Sequence, residues 1–124
     1  MEKAQVLIVE DDPNVASFLE KTLSSSYSIT IANDGSQAMD LLKDLKPHLM
    51  ILDVRLPVIS GVELYLRIKE DKRFVDMRVL AITGFPDHPE TIRMKQSGVD
   101  MILEKPITPR RIRKAVEKLL KNTP

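Results

Sequence analysis

The sequence predicts an α/β domain built on one parallel five-stranded sheet with helices on both faces. Three observations carry this. Short apolar runs recur along the chain, at Val6 to Val9, Ile29 to Ile31, Leu49 to Asp53, Val79 to Ile82 and Val99 to Leu103. Each is followed by a segment whose apolar residues recur at helical spacing. Regular alternation of strand and helix, without internal repeats, favours a parallel sheet with right-handed crossovers.

The elements follow in order. Val6-Leu7-Ile8-Val9 lacks polar alternation, as a strand covered on both faces does. It runs into Glu10-Asp11-Asp12-Pro13, where Asp12 is placed as a helix N-cap with proline at the first helical position. Val15, Phe18, Leu19 and Leu23 line that helix, and Ser24-Ser25-Ser26 stops it. A shorter strand holds Ile29 and Ile31, and Asn33-Asp34-Gly35 reads as a turn. Ala38, Leu41, Leu42 and Leu45 define a second helix that ends before Pro47.

The third strand, Leu49 to Asp53, delivers a carboxylate to its own C-terminal end. Carboxylates rarely follow four apolar residues directly unless they are paired or used. A loop with Pro57 leads to Ser60, which fits a capping box with Glu63 and opens a helix running to about Asp71. The fourth strand ends in Thr83-Gly84, and the helix after it has a thin apolar face of Ile92 and Met94. The fifth strand ends in Glu104-Lys105-Pro106. Thr108-Pro109 then starts the last helix, with Ile112, Ala115, Val116, Leu119 and Leu120 on one side.

The chain's 124 residues suit one domain, read as 1–124. Lys+Arg of 19 against Asp+Glu of 18, a net charge of +1, argues against a dedicated nucleic-acid or membrane binder. The basic run Arg110, Arg111, Arg113, Lys114, Lys118 and Lys121 accordingly reads as a solvated or partner-binding helix face. With no cysteine, there is no disulfide, thiolate metal site or thiol nucleophile. The first apolar run is too short for a signal sequence or membrane span, and a cytoplasmic location is the default expectation.

In such sheets, ligands bind beyond the carboxyl ends of the strands. The residues there are Glu10 and Asp11, Asp53, Thr83 and Lys105. Three carboxylates converging within about 4 Å repel pairwise by up to about 4 kcal/mol at an effective dielectric near 20. One lysine does not offset that, and a divalent cation does. All-oxygen ligands favour Mg2+, with Mn2+ also suited, over zinc. A carboxylate beside a metal, a lysine and a hydroxyl is equipped for covalent phosphoryl capture.

These residues stand in Val-Glu10-Asp11-Asp, Leu-Asp53-Val-Arg-Leu-Pro57-Val-Ile-Ser-Gly61, Ile-Thr83-Gly84 and Glu-Lys105-Pro106. In that order and spacing, the whole chain resembles a receiver domain of the two-component response regulators (CheY-like). The resemblance implies a single-domain (βα)5 flavodoxin-like fold with strand order 2-1-3-4-5. It implies that Asp53 is the phosphoacceptor, taking its phosphoryl group from a phosphohistidine on a sensor histidine kinase or histidine phosphotransfer protein. Glu10 and Asp11 match the acidic pair that holds magnesium, Asp11 as the direct ligand and Glu10 directly or through water. Asp53 and the backbone carbonyl of Arg55 complete that set. Lys105 pairs with the phosphoryl group, Thr83 turns its hydroxyl towards it, and the backbone N–H of Gly84 contacts it. The Lys105-Pro106 bond is one the family usually holds cis. The implied role is a signalling switch, not an enzyme acting on an external substrate. Its helix-4, strand-5 and helix-5 face would signal to a downstream protein or a fused output domain, without direct binding to nucleic acid or membrane.

Several positions depart from the family pattern. Ile102 replaces the usual strand-five aromatic, which shifts the weight of activation to the loop between Thr83 and the fourth helix. Asp100-Met101-Ile102 also matches poorly the regulators that dimerise through this strand and the last helix, and leaves a homodimer an open option. Arg55 and Phe85, two residues beyond Asp53 and Thr83, are bulky and expected to slow hydrolysis of an aspartyl phosphate.

The alternative from another class is a phosphorylation-independent pseudo-receiver, which would have lost the acidic pair, Asp53 or Lys105. A haloacid-dehalogenase-type phosphatase would want a second aspartate where Arg55 stands, and no nucleotide-binding glycine loop is present. The Asn122-Thr123-Pro124 ending suits the start of a linker, and both a stand-alone receiver and the N-terminal receiver of a longer regulator or kinase fit the sequence.

Overall fold

A computed structural model describes residues 2–121; the Asn122-Thr123-Pro124 ending lies outside them. The strands are β1 (Gln5–Val9), β2 (Ser28–Ala32), β3 (Leu49–Asp53), β4 (Arg78–Thr83) and β5 (Met101–Glu104). They alternate with α1 (Pro13–Leu23), α2 (Gly35–Leu41), α3 (Gly61–Lys69), α4 (Pro89–Gln96) and α5 (Pro109–Leu120). All pairings are parallel, in the expected order β2-β1-β3-β4-β5.

Side chains alternate across the sheet with the two-residue period of a pleated strand. Leu7, Val9, Met50, Leu52, Val79 and Ala81 face α2, α3 and α4, packing with Val62, Leu64, Ile68 and Met94. Val6, Ile8, Leu49, Ile51, Leu80 and Ile82 face α1 and α5, packing with Leu19, Leu23, Ile112 and Val116. Covering both faces is what permits continuous apolar strands. All five residues of β3 are buried, including Asp53.

The helix starts follow capping chemistry. The Asp12 and Thr108 side chains accept the N–H groups of Asn14 and Arg111, each with proline at the first helical position. Ser60 accepts the N–H of Glu63 at 3.1 Å, but Glu63 turns outward to Arg67 at 3.0 Å, so only half of the capping box forms.

Several boundaries differ from expectation. Asp34 caps α2 by accepting the Gln37 N–H at 2.8 Å, so Gly35 is a helical residue and not a turn glycine. That helix ends at Leu41, because its tail winds into turns in which the N–H groups of Asp44 and Leu45 both reach the Leu41 carbonyl. The third helix ends at Lys69. Asp71 caps a separate 3-10 turn, Lys72–Phe74, that carries Phe74 into the core. On α4, Ile92 is 45% exposed, and Thr91 and Met94 are the inward residues. The last strand starts at Met101, since the Asp100 carboxylate, rather than a strand backbone, accepts the Val79 N–H at 2.8 Å. His48 and His88 are half-buried, and each accepts a backbone N–H at its Nδ1.

Candidate phosphoacceptor site

The parallel register brings the strand ends to one level. Val9 lies opposite Leu52, so the next residues, Glu10 and Asp53, leave the sheet side by side. Thr83 lies opposite Glu104, and the Lys105 N–H closes the edge on the Thr83 carbonyl at 2.7 Å. Helix α3 begins close against this edge. A Cβ on Gly61 would lie 2.7 Å from Leu52 Cδ1 and 2.8 Å from the Val54 carbonyl, and closer still to that of Asp53. Only glycine allows that approach, and it seats the loop that follows Asp53.

Asp53 holds both its oxygens in place. Oδ1 accepts the Arg55 N–H at 2.9 Å, and Oδ2 accepts Lys105 Nζ at 2.9 Å. The lysine also lies 3.8 Å from Glu10 Oε1. Glu10 is 3% exposed, and its other oxygen accepts the Asp12 N–H at 3.1 Å. Carboxylate oxygens of Glu10, Asp11 and Asp53 all lie within 4.8 Å of one another, with Asp11 exposed at the mouth. An open cleft beside them is lined by Asp11, Asp53, Arg55, Leu56, Pro57, Gly84, Phe85 and Lys105.

Charge in this cluster is unbalanced. Burial, then the neighbouring Asp53 carboxylate, push Glu10 from its ordinary 4.5 up to about 7, against the opposing pull of the Asp12 N–H and Lys105. For Lys105, burial acts to lower the ammonium's pKa, but the hydrogen bond and charge of Asp53, helped by Glu10 and Asp12, raise it on balance. One ammonium therefore leaves this group of carboxylates short of positive charge. The donor set, all oxygen and partly open to water, fits a hard divalent cation such as Mg2+.

The structure brings Glu10, Asp11, Asp53, Arg55, Gly84 and Lys105 together. It holds the Thr83 hydroxyl elsewhere. Thr83 is 1% exposed, and its Oγ1 accepts the Phe85 N–H at 3.0 Å and meets Thr91 Oγ1 at 2.9 Å. The glycine at 84 is not demanded by crowding within the protein, since a Cβ there would meet only Lys105 Cδ at 3.7 Å. The Lys105-Pro106 bond is cis, as the resemblance implies. Two features escaped sequence reasoning. Thr91 carries no motif signal, and Val58, 80% exposed in the β3–α3 loop, adopts φ 69°. Arg55 and Phe85, both expected to slow hydrolysis, stack on each other: the guanidinium carbon lies 5.1 Å from the ring centroid, at the edge of the cleft.

A family model, that of the response regulator receiver domain, matches residues 6–117. The chain belongs to that family. Among relatives of this receiver domain is the polar-differentiation response regulator DivK of Brucella anthropi, 32% identical over 104 residues, which cover 83% of this chain and 85% of that protein. The sensor histidine kinase TmoS of Ectopseudomonas mendocina is 30% identical over 119 residues, 96% of this chain; the receiver spans only 12% of that kinase's length. The receiver domain of a Pseudomonas aeruginosa sensor histidine kinase superposes with a TM-score of 0.89, covering 97% of this chain and 99% of that one. At 23% identity that likeness shows the fold, and that protein's own cleft holds a coordinated magnesium ion. Among the described residues, no helix of this receiver is long and apolar enough to cross a membrane.

Proposed function

We propose that the chain, residues 1–124, acts as a phosphorylatable switch in a two-component phosphorelay, with Asp53 as the phosphoacceptor. The observation that carries this is the pairing of Asp53 with Lys105 at 2.9 Å inside a carboxylate cluster that lacks positive charge. The donor is a phosphohistidine on a histidine kinase or phosphotransfer protein. An Asp53 oxygen attacks phosphorus, the P–N bond to the imidazole breaks, and the electron pair leaves with the imidazole nitrogen.

Glu10, Asp11, Asp53 and the Arg55 carbonyl would hold Mg2+. When bound, the ion offsets the charge of the carboxylates and of the phosphoryl oxygens. Lys105 Nζ, already fixed on Oδ2, is placed to follow the new phosphoryl group as its counter-charge. Gly84, on the wall of the cleft, offers its N–H to a phosphoryl oxygen. Thr83 answers by turning its hydroxyl outward. The added charge of roughly −1.5 to −2 shifts the face formed by α4, β5 and α5 between two populations that a downstream protein or fused output domain distinguishes. The domain works in the cytoplasm as a signalling element and turns over no external substrate.

The test is incubation with acetyl phosphate or phosphoramidate and Mg2+, followed by intact-mass measurement. One phosphoryl addition, lost in Asp53→Asn, is the expected result. No addition to the wild-type protein would overturn the reading.

A further inference from the structure

Among the described residues five polar ones are buried: Glu10, Thr22, Asp53, Thr83 and Thr91. Thr22 bonds within its own helix, to the Phe18 carbonyl at 2.8 Å. Glu10, Asp53 and Thr83 belong to the strand-end site. Thr91 is fully buried and reaches from the first turn of α4 back to the end of β4.

The direction of its bonds follows from counting protons. A hydroxyl carries one. The Phe85 carbonyl only accepts, so Thr91 commits its proton there, at 2.8 Å. In the 2.9 Å contact between the two threonines, Thr83 must therefore be the donor. Thr83 in turn accepts the Phe85 N–H at 3.0 Å. The three residues form a closed chain that clamps both polar groups of the Phe85 backbone.

We propose that Thr91 is a positioning residue that locks Thr83 inward, so that a phosphoryl group on Asp53 must displace it, releasing Phe85 and the first turn of α4. The proposal rests on the phosphoacceptor reading. The single Thr83 proton serves either Thr91 or a phosphoryl oxygen, never both. Turning Thr83 outward also takes an acceptor from the Phe85 N–H, so the loop that carries the ring beside Arg55 is reset by the same event. Of the two bonds that the inward Thr83 hydroxyl makes, with Thr91 and with the Phe85 N–H, only the first depends on the Thr91 hydroxyl. Any ligand that needs Thr83 outward then binds more weakly by the locked fraction. Removing the Thr91 hydroxyl strengthens that binding by about fivefold, the equivalent of one net hydrogen bond.

Beryllofluoride with Mg2+, a phosphoryl mimic, is the probe, titrated by NMR against wild type, Thr91→Val and Thr91→Ser. Thr91→Val should bind about fivefold more tightly, with Thr91→Ser, which keeps the hydroxyl, restored to wild-type affinity. Equal or weaker binding by Thr91→Val overturns the proposal, as does a Thr91→Ser that behaves like valine. A second measurement needs no variant: in wild type, amide hydrogen exchange at Phe85 should accelerate when beryllofluoride binds, and unchanged exchange overturns the lock. Wild type that takes up no beryllofluoride refutes the phosphoacceptor reading and this inference with it. Wild type that binds normally beside an unaltered Thr91→Val refutes the lock alone.

Discussion

Glu10 makes the unliganded domain sensitive to pH in a predictable direction. Its carboxyl is raised from 4.5 to about 7 in the folded state, chiefly by burial and then by Asp53. Between those values the folded protein binds more protons than the unfolded chain, so stability falls as pH rises through the window. Below 4.5 the contribution is fully present, and above about 7 it is gone. Taken at full value the shift is worth about 3 kcal/mol, at roughly 1.4 kcal/mol per unit. Because Glu10 sits beside a cleft open to water, screening reduces this to on the order of 2 kcal/mol. For a domain of this size that is roughly 8 °C in melting temperature. The assay is thermal unfolding of wild type and Glu10→Gln from pH 4.5 to 8, with and without Mg2+. Wild type should lose stability across the window without Mg2+, and Glu10→Gln should lose much less. Added Mg2+ should stabilise wild type increasingly as pH rises, since the ion competes with the proton for the same oxygens. Identical pH profiles for the two proteins without Mg2+, or a Mg2+ effect independent of pH, would refute the electrostatic account of the cluster.

Other expectations concern the frame of the site. Gly61→Ala should cost roughly 1–3 kcal/mol or more, because the methyl meets backbone carbonyls that cannot move aside, whereas Gly84→Ala should unfold within about 0.5 kcal/mol of wild type; chemical denaturation compares them, and equal effects would contradict the packing argument. Val58 holds a β-branched side chain in the left-handed region, so Val58→Asn should raise stability by roughly 1 kcal/mol in the same assay, and a loss of stability would contradict the strain. Arg55→Ala and Phe85→Ala should each shorten the lifetime of the aspartyl phosphate. The stacked pair acts as one cover, so the double variant should decay no faster than the more affected single; unchanged lifetimes, or additive effects, would sink the idea.

Much of this was legible in the sequence because the strands are apolar on both faces and their ends are polar. Leu49 to Asp53 was read with its observed limits, and Asp12-Pro13 and Thr108-Pro109 announced their helices through local capping chemistry alone. The strand-end residues needed only the rule that parallel strands finish on one edge. What stayed hidden depends on partners distant in sequence. Thr91 carries no sequence sign of its burial while Ile92 reads as a core residue, since a pattern of hydrophobicity does not register that Thr83 and the Phe85 carbonyl satisfy a buried hydroxyl. Asp100 gave no sign that its carboxylate would replace a strand partner for Val79. Gly61 read as a helix start, and its real constraint comes from the carbonyls of Asp53 and Val54 packed against it. The inward setting of Thr83 was missed for the same reason: its rotamer is decided by α4, not by its own strand.

The central claim is that Asp53 itself becomes the acyl phosphate, and borohydride trapping tests it most directly. Treatment with acetyl phosphate and Mg2+ followed by borohydride converts a phosphorylated aspartate to homoserine, which tandem mass spectrometry locates in the peptide. Homoserine at position 53, dependent on Mg2+ and absent from Asp53→Asn, is the predicted result. Homoserine at Asp11 or Asp12 instead, or none at any position, would contradict the account.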